Sequence, residues 1–262
     1  RVFIEMIKKY LILIFSFFSI FWKIIPENIR VKIFLFIFIL ESRGNKEKAL
    51  KQLFLIKDKL DYVINERALS YGQGIHPKHS LTRYHYFFVD NIKNGEKVLD
   101  IGCGYGAVSN TIAQKKNMST ILGIDYDCKK LKEASKKYKS KNLKFIKLDA
   151  TKKIPYGKWD IIILSNVLEH IQNRVIFLKK IVKNSKCKKI LIRVPLFERS
   201  WEIPMRKKLK INYYSDNDHK IEHTIKEFLD EMKEVRINVA EFKTFWGEIW
   251  AVCKTNKSYG KS

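Results

Sequence analysis

Apolar residues fall into two regimes along this chain. They run almost without a break from Tyr10 to Trp22 (YLILIFSFFSIFW) and again from Ile33 to Leu40 (IFLFIFIL), with Lys23 and Pro26 between the runs. Neither run reaches the ~20 apolar residues that a membrane-spanning helix needs. Lys8, Lys9, Lys23, Arg30 and Lys32 flank them, as in segments that lie in a membrane interface. Helices packed on a following domain fit the same pattern. So does a secretory signal, although no small-residue cleavage site follows. Residues 46–69 read as an amphipathic helix, with Leu50, Leu53, Phe54, Lys57, Leu60 and Ile64 near one stripe.

From about Ser70 the pattern changes. Short apolar runs at Lys97–Ile101, Thr120–Ile124, Leu143–Lys147, Trp159–Leu164 and Lys189–Val194 alternate with helical stretches such as Val108–Lys116 and Lys129–Lys139. Val235–Ala240 and Glu248–Lys254 are candidate last strands. This alternation predicts a doubly wound α/β domain over residues 71–262, with a mostly parallel sheet covered on both faces. A helical extension over residues 1–70 precedes it.

Composition adjusts this picture in two ways. With 262 residues, 46% of them hydrophobic, the chain can bury a sizeable core. The net charge of +25 points toward nucleic acid, but 42 of the 52 basic residues are Lys and 10 are Arg. Readers of phosphates and bases lean on the Arg fork. Lys excess beside abundant Ile, Asn and Phe is what A/T-rich codons produce, so without a recognised reading motif the charge is weak evidence for a nucleic-acid partner. It suits an anionic membrane surface equally well. Cys103, Cys128, Cys187 and Cys253 form no C-x-x-C pair, which suggests neither a zinc site nor a disulfide framework. A reducing, cytoplasmic setting follows, with the greasy N-terminus placing the protein peripherally on the inner face of the membrane.

The chemistry concentrates where strands end. Val98-Leu99-Asp100-Ile101-Gly102-Cys103-Gly104-Tyr105-Gly106 is an apolar strand running into a glycine-rich turn and then a helix. Glycines let the backbone turn tightly and approach a ligand, and the helix N-terminus offers free amides. Dinucleotide sites use similar turns. Asp100, two residues before the first glycine, suits a ligand with a cationic end and would repel a pyrophosphate. Asp125 ends the second strand, where an acid accepts from ribose hydroxyls. Asp149 follows the third, where a carboxylate can accept from an adenine amino group. Each acid alone could be a helix cap or a solvated loop residue; all three at successive strand ends point to one ligand.

These residues, with Leu164-Ser165-Asn166-Val167-Leu168-Glu169-His170-Ile171, resemble the class I S-adenosylmethionine-dependent methyltransferases over residues 75–252. The resemblance implies a Rossmann-like sheet of seven strands with the last antiparallel. It also implies S-adenosylmethionine as cofactor: Gly102, Cys103, Gly104 and Gly106 along its methionine part, Asp125 with the adjacent Tyr126 at the ribose, Asp149 and the Ala150 amide at adenine, and Ser165 and Asn166 alongside. Enzymes of this class that methylate exocyclic base nitrogens carry an Asn/Asp-Pro-Pro-aromatic tetrad here; this chain has Ser165-Asn166-Val167-Leu168. The Val-Leu-Glu-His variant is similar to enzymes acting on small molecules, quinone precursors, sugars or glycans. His76–His85 and Trp246–Trp250 look similar to methyltransferases of surface-polysaccharide pathways.

The reading is therefore methyl transfer to a small-molecule or glycan hydroxyl. A hydroxyl must lose its proton, so His170 and His219 are the candidate bases. His219-Lys220-Ile221-Glu222-His223 also matches the H-x-x-E-H zinc motif, but that motif needs a helix. Thr224 with Glu227 reads as a capping box that starts the helix only after His223, so no metal is expected. The insert from Pro195 to His223, with Trp201, Tyr213, Tyr214, Asp216 and Asp218, is the expected acceptor wall. A nucleic-acid methyltransferase and a non-catalytic membrane adaptor are the rival readings.

Overall fold

The computed structural model describes residues 18–255. They fall into two compact units, one ending at Glu66 and the other starting at Arg67.

In the first unit residues 18–24 are helical; the rest of the Tyr10–Trp22 run lies outside the described residues. Pro26, which has no N–H to satisfy, stands at the cap of helix α1 (Glu27–Glu41). None of the residues of α1 is buried. Helix α2 (Lys46–Tyr71) starts after Asn45, whose Oδ1 accepts from the Lys48 amide at 3.0 Å. Its expected stripe holds only in the first turns. Ala49 and Phe54 are buried, whereas Lys57, Leu60 and Ile64 are exposed. Lys57 instead pairs with Asp61 one turn on, at 2.8 Å. No helix among the described residues is long and apolar enough to cross a membrane.

The second unit opens with two short helices, α3 (Lys78–Thr82) and α4 (Tyr84–Asp90). Then β1 (Lys97–Ile101), α5 (Ala107–Lys115), β2 (Thr120–Asp125), α6 (Cys128–Lys137), β3 (Leu143–Lys147) and β4 (Ile161–Ser165) follow. The chain continues through α7 (Arg174–Ser185), β5 (Lys189–Pro195), α8 (Glu202–Lys208), α9 (Ile225–Glu234), β6 (Ile237–Phe245) and β7 (Glu248–Thr255). The strands form one sheet of seven in the order β3-β2-β1-β4-β5-β7-β6. The first five are parallel, and β7 runs antiparallel to both β5 and β6. The expected doubly wound, mostly parallel sheet of seven strands is what forms.

Ile161, Ile162, Ile163 and Leu164 of β4 are all wholly buried, the continuous apolar run of a parallel strand covered on both faces. Alternation divides them between two cores. Ile162 and Leu164 join Phe177, Leu178 and Ile181 of α7 and Phe228 and Met232 of α9. Ile161 and Ile163 join Phe87 and Phe88 of α4 and Val108 and Ile112 of α5. Each such side chain contributes about 1.5–3 kcal/mol by leaving water.

Strand β6 differs from expectation. Val235 caps α9 and Arg236 takes φ 59°, so the strand begins at Ile237 rather than Val235 and, across a bulge between Val239 and Glu241, runs on to Phe245.

Candidate functional site

The strand order reverses between β1 and β4, and in open α/β sheets a ligand crevice forms beyond the carboxyl ends of strands at that point. Here a cavity of about 520 Å³ opens there, within the range of small-ligand sites. Gly102 and Gly104 line it from the turn after β1, Asp125 and Tyr126 from the end of β2, Asp149 and Ala150 from the end of β3, and Asn166 and His170 from beyond β4.

The turn after β1 depends on its glycines. Gly102 has φ +70° and its amide donates to the Ile124 carbonyl at 2.8 Å; a Cβ there would lie 2.8 Å from Val167. Gly106, at φ +74°, starts α5 against Phe145, whose ring would stand 2.4 Å from an added Cβ. Asp125 ties the turn to β2. Its Oδ2 accepts from the Gly104 amide at 2.9 Å and its Oδ1 from the Asp127 amide at 2.8 Å. Each oxygen keeps a second lone pair for a ligand. Asp149 accepts from the Thr151 amide and hydroxyl at 3.0 and 2.6 Å, and the hydroxyl contact first, then the amide, holds its pKa below the usual value. It is ionised at neutral pH and shaped by its own turn before any ligand arrives. Asn166 takes a left-handed φ of 55°, and its Oδ1 is buried with no hydrogen-bond partner.

Four predicted cofactor residues stand back from the cavity wall. Asp100 is wholly buried, its Oδ2 accepts from the Ser109 hydroxyl of α5 at 2.5 Å, and it does not line the cavity. Burial raises its pKa to about 7, against the Ser109 hydrogen bond and with the help of the Asp125 charge. Cys103 and Gly106 shape the turn without lining the wall. Ser165 points to Arg193, which donates to its Oγ at 3.2 Å, pairs with Glu248 at 2.5 Å and stacks over the Tyr84 ring at 3.8 Å. The wall gains residues the sequence did not single out as ligand contacts, among them Lys130, Val167, Phe177 and Lys220. Val167 and Phe177 read as ordinary core, and Lys130 as a solvated helix lysine. No sequence signal separates them from their neighbours.

The Pro195–His223 insert returns to the site, and Asp218 and Lys220 line the cavity. The Lys220 amide donates to the Glu169 carbonyl at 2.7 Å, and the Phe197 amide to the His223 carbonyl at 2.8 Å. His223 lies in a bridge before α9, whose capping box on Thr224 and Glu227 forms as expected. The H-x-x-E-H stretch is therefore not helical, and its two histidines part. His223 is wholly buried, with Nε2 3.5 Å from Glu231.

His219 turns to the other side. Its ring stacks edge-on against His170 with centroids 4.7 Å apart, and its Nδ1 lies 3.1 Å from Glu222. It is buried behind the cavity wall, whereas His170 is part of that wall, with Nδ1 3.0 Å from Asp218. Glu222 is buried beneath His219. Burial opposes its charge, but hydrogen bonds from His219, Ser215 and Arg199 outweigh that and hold its pKa at about 2. Burial likewise opposes a charged His219, yet Glu222 and then the nearby Glu169 raise its pKa. Glu169, next to His170 in the sequence and within 4.8 Å of both histidines by their ligand atoms, is wholly buried, and burial pushes its pKa up to about 8. Neither of its carboxyl oxygens has a hydrogen-bond partner.

Residues 92–241 match the family model described as "Methyltransferase domain". Pavine N-methyltransferase of Thalictrum flavum is 32% identical over 93 residues, covering 34% of this chain and 26% of that protein. Ribosomal protein L11 methyltransferase of Thermotoga neapolitana is 27% identical over 111 residues, 41% of this chain and 40% of its own length. The chain thus spans about a quarter of the length of the first curated relatives it matches. Magnesium protoporphyrin IX methyltransferase from Synechocystis, solved with bound SAH, superposes with a TM-score of 0.53 at 17% identity, covering 68% of this chain and 83% of that one. The match spans more than half of the chain, from β1 to the first half of β6. The chain therefore belongs to the methyltransferase domain family, on the class I fold that takes S-adenosylmethionine as its cofactor.

Proposed function

We propose that this chain methylates a hydroxyl of a small, polar acceptor, with a sugar or glycan hydroxyl as the preferred class. When bound, S-adenosylmethionine supplies a methyl group already activated on a sulfonium. The protein's task is then proximity, alignment and removal of the acceptor's proton. The observation that carries the reading is the cavity with Asp125 and Asp149 at successive strand ends beside the turn of Gly102 and Gly104. The unpartnered Asn166 Oδ1 adds an acceptor there for a ligand donor.

The names of the relatives record pavine in one case and a ribosomal protein in another, so the acceptor is argued from this chain alone. On the acceptor side, the insert brings Asp218 and Lys220 to the wall, and the Tyr214 hydroxyl, which accepts from the Tyr213 hydroxyl at 3.1 Å, donates to the Lys220 carbonyl at 3.4 Å. Aromatic faces with carboxylates suit the C–H faces and hydroxyls of sugar rings. Titration with SAH, followed by assay against sugar, phenol and amine acceptors with radiolabelled cofactor, tests the reading. Preference for NAD over SAH would overturn it outright, and transfer only to RNA or amines would overturn the hydroxyl assignment.

The largely apolar α1, none of whose residues is buried, supports peripheral membrane contact as part of the same proposal. Anionic vesicles should retain the chain, with salt weakening but not abolishing the contact. No retention on vesicles would remove this part.

A further inference from the structure

Glu169, His170 and His219 each offer one ligand atom, and the three atoms lie within 4.8 Å of one another. They come from two segments that the Lys220 amide to Glu169 carbonyl hydrogen bond ties together. Glu169 is the telling member. A wholly buried carboxylate is costly unless paired, and neither of its oxygens finds a donor. Protonation would not resolve this, because a carboxylic acid O–H also needs a partner.

The surroundings of His219 point the same way. Glu222, its side chain wholly buried, receives Arg199, the Ser215 amide and hydroxyl, and the Nδ1 of His219. A histidine whose Nδ1–H donates to a carboxylate presents a lone pair on Nε2. Metal-ligating histidines are oriented in this way by a carboxylate behind them. His170 Nδ1 lies 3.0 Å from Asp218 without the geometry of a hydrogen bond, so this ring too brings an unsatisfied buried nitrogen to the cluster.

We infer that Glu169, His170 and His219 bind one divalent transition-metal cation at the inner wall of the cavity. The inference rests on the methyl-transfer reading above for its purpose, but not for its detection. Two imidazoles and one carboxylate favour a borderline cation such as Mn(II), Fe(II), Co(II) or Zn(II) over the all-oxygen sets that hold Ca(II) and Mg(II). Three protein ligands leave coordination positions for oxygens of an acceptor. A hydroxyl bound there breaks its O–H bond more readily: the oxygen keeps the electron pair and the proton passes to Asp218 or to water. The two histidines would then act as ligands and not as bases.

The test is titration of the full-length, untagged, chelator-treated chain with Co(II) alone, followed by visible absorption, and with Mn(II) alone, followed by loss of the free-ion EPR signal. SAH binding is measured on every variant. The expected result is saturation at one equivalent. Glu222→Gln should weaken metal binding about 10–100-fold, as loss of an orienting partner does. Glu169→Gln and His219→Ala should weaken it further, each with SAH binding retained. His170→Ala, on a part-exposed ring, makes the same test should a buried variant fail to fold. A wild-type chain that binds SAH but neither metal overturns the inference while leaving the methyltransferase reading standing. So does metal binding untouched by the ligand variants. Metal binding without SAH binding would do the reverse.

Discussion

Replacing Asp125 by Ala tests the cofactor site most directly. The carboxylate holds a backbone amide on each oxygen, Gly104 at 2.9 Å and Asp127 at 2.8 Å. On the proposed reading the remaining lone pair on each accepts from a ribose hydroxyl. Hydrogen bonds to a charged group contribute about 1.5–3 kcal/mol. At about 1.4 kcal/mol per factor of ten, SAH should bind roughly 10–100-fold more weakly. The same change strips two amides of their acceptor at about 1–3 kcal/mol each, so the melting temperature should fall as well. Asp125→Asn keeps one acceptor oxygen and should fall between wild type and Ala in both measurements. Calorimetric titration with SAH, alongside thermal melts, reads out the pair. An Ala variant that melts lower but binds SAH as tightly as wild type would refute the ribose assignment, since the structural job would have been lost with no effect on the ligand.

Four further outcomes are expected. Gly106→Ala places a Cβ 2.4 Å from the Phe145 ring at φ +74°, whereas Gly104→Ala at φ +54° meets nothing within 4 Å; both pay about 1–2 kcal/mol for the left-handed backbone, and only the former adds about 1–3 kcal/mol of overpacking, so equal denaturation midpoints would contradict the packing argument. Asp100 has a folded pKa of about 7, above its ordinary value near 3.8. The folded state therefore holds this proton more tightly than the unfolded chain, and the stability that it contributes is present at low pH and lost as pH rises toward 7. Asp100→Asn should accordingly gain stability relative to wild type across that window, and a gain that shrinks with rising pH would be the wrong sign. Arg199→Ala leaves Glu222 buried without its cation and should cost about 3–5 kcal/mol in urea denaturation at neutral pH. Because the folded pKa of Glu222 is about 2, below its ordinary value, the stability from its network is present at neutral pH and fades as pH falls toward 2; an acid limb unchanged in Glu222→Gln would argue against that network.

Much of the domain was legible in the sequence because period and punctuation are local. Five strand starts follow from where apolar runs begin, the glycine turn from the run that meets Gly102, and the Thr224 capping box announces its own helix. The wall residues Gly102, Gly104, Asp125, Asp149 and Asn166 were found because each stands at a strand end, where this sheet must place its ligand. Asp100 and Ser165 share those strand ends yet face inward, to Ser109 and Arg193. A strand alternates its faces every residue, and whether a given face meets a ligand, a helix or a buried arginine depends on what packs there.

The histidines show the same divide at longer range. His219 and His223 are four apart and suggest a pair. Outside a helix that spacing has no geometric meaning, and the chain turns one toward Glu231 and the other toward Glu222 and His170. Local pattern thus determined the strands, the turn and the cap. Only tertiary packing could bring Glu169 and His170 at the end of β4 against His219, some fifty residues on, because that contact depends on how the insert folds back over the sheet and not on any spacing along the chain.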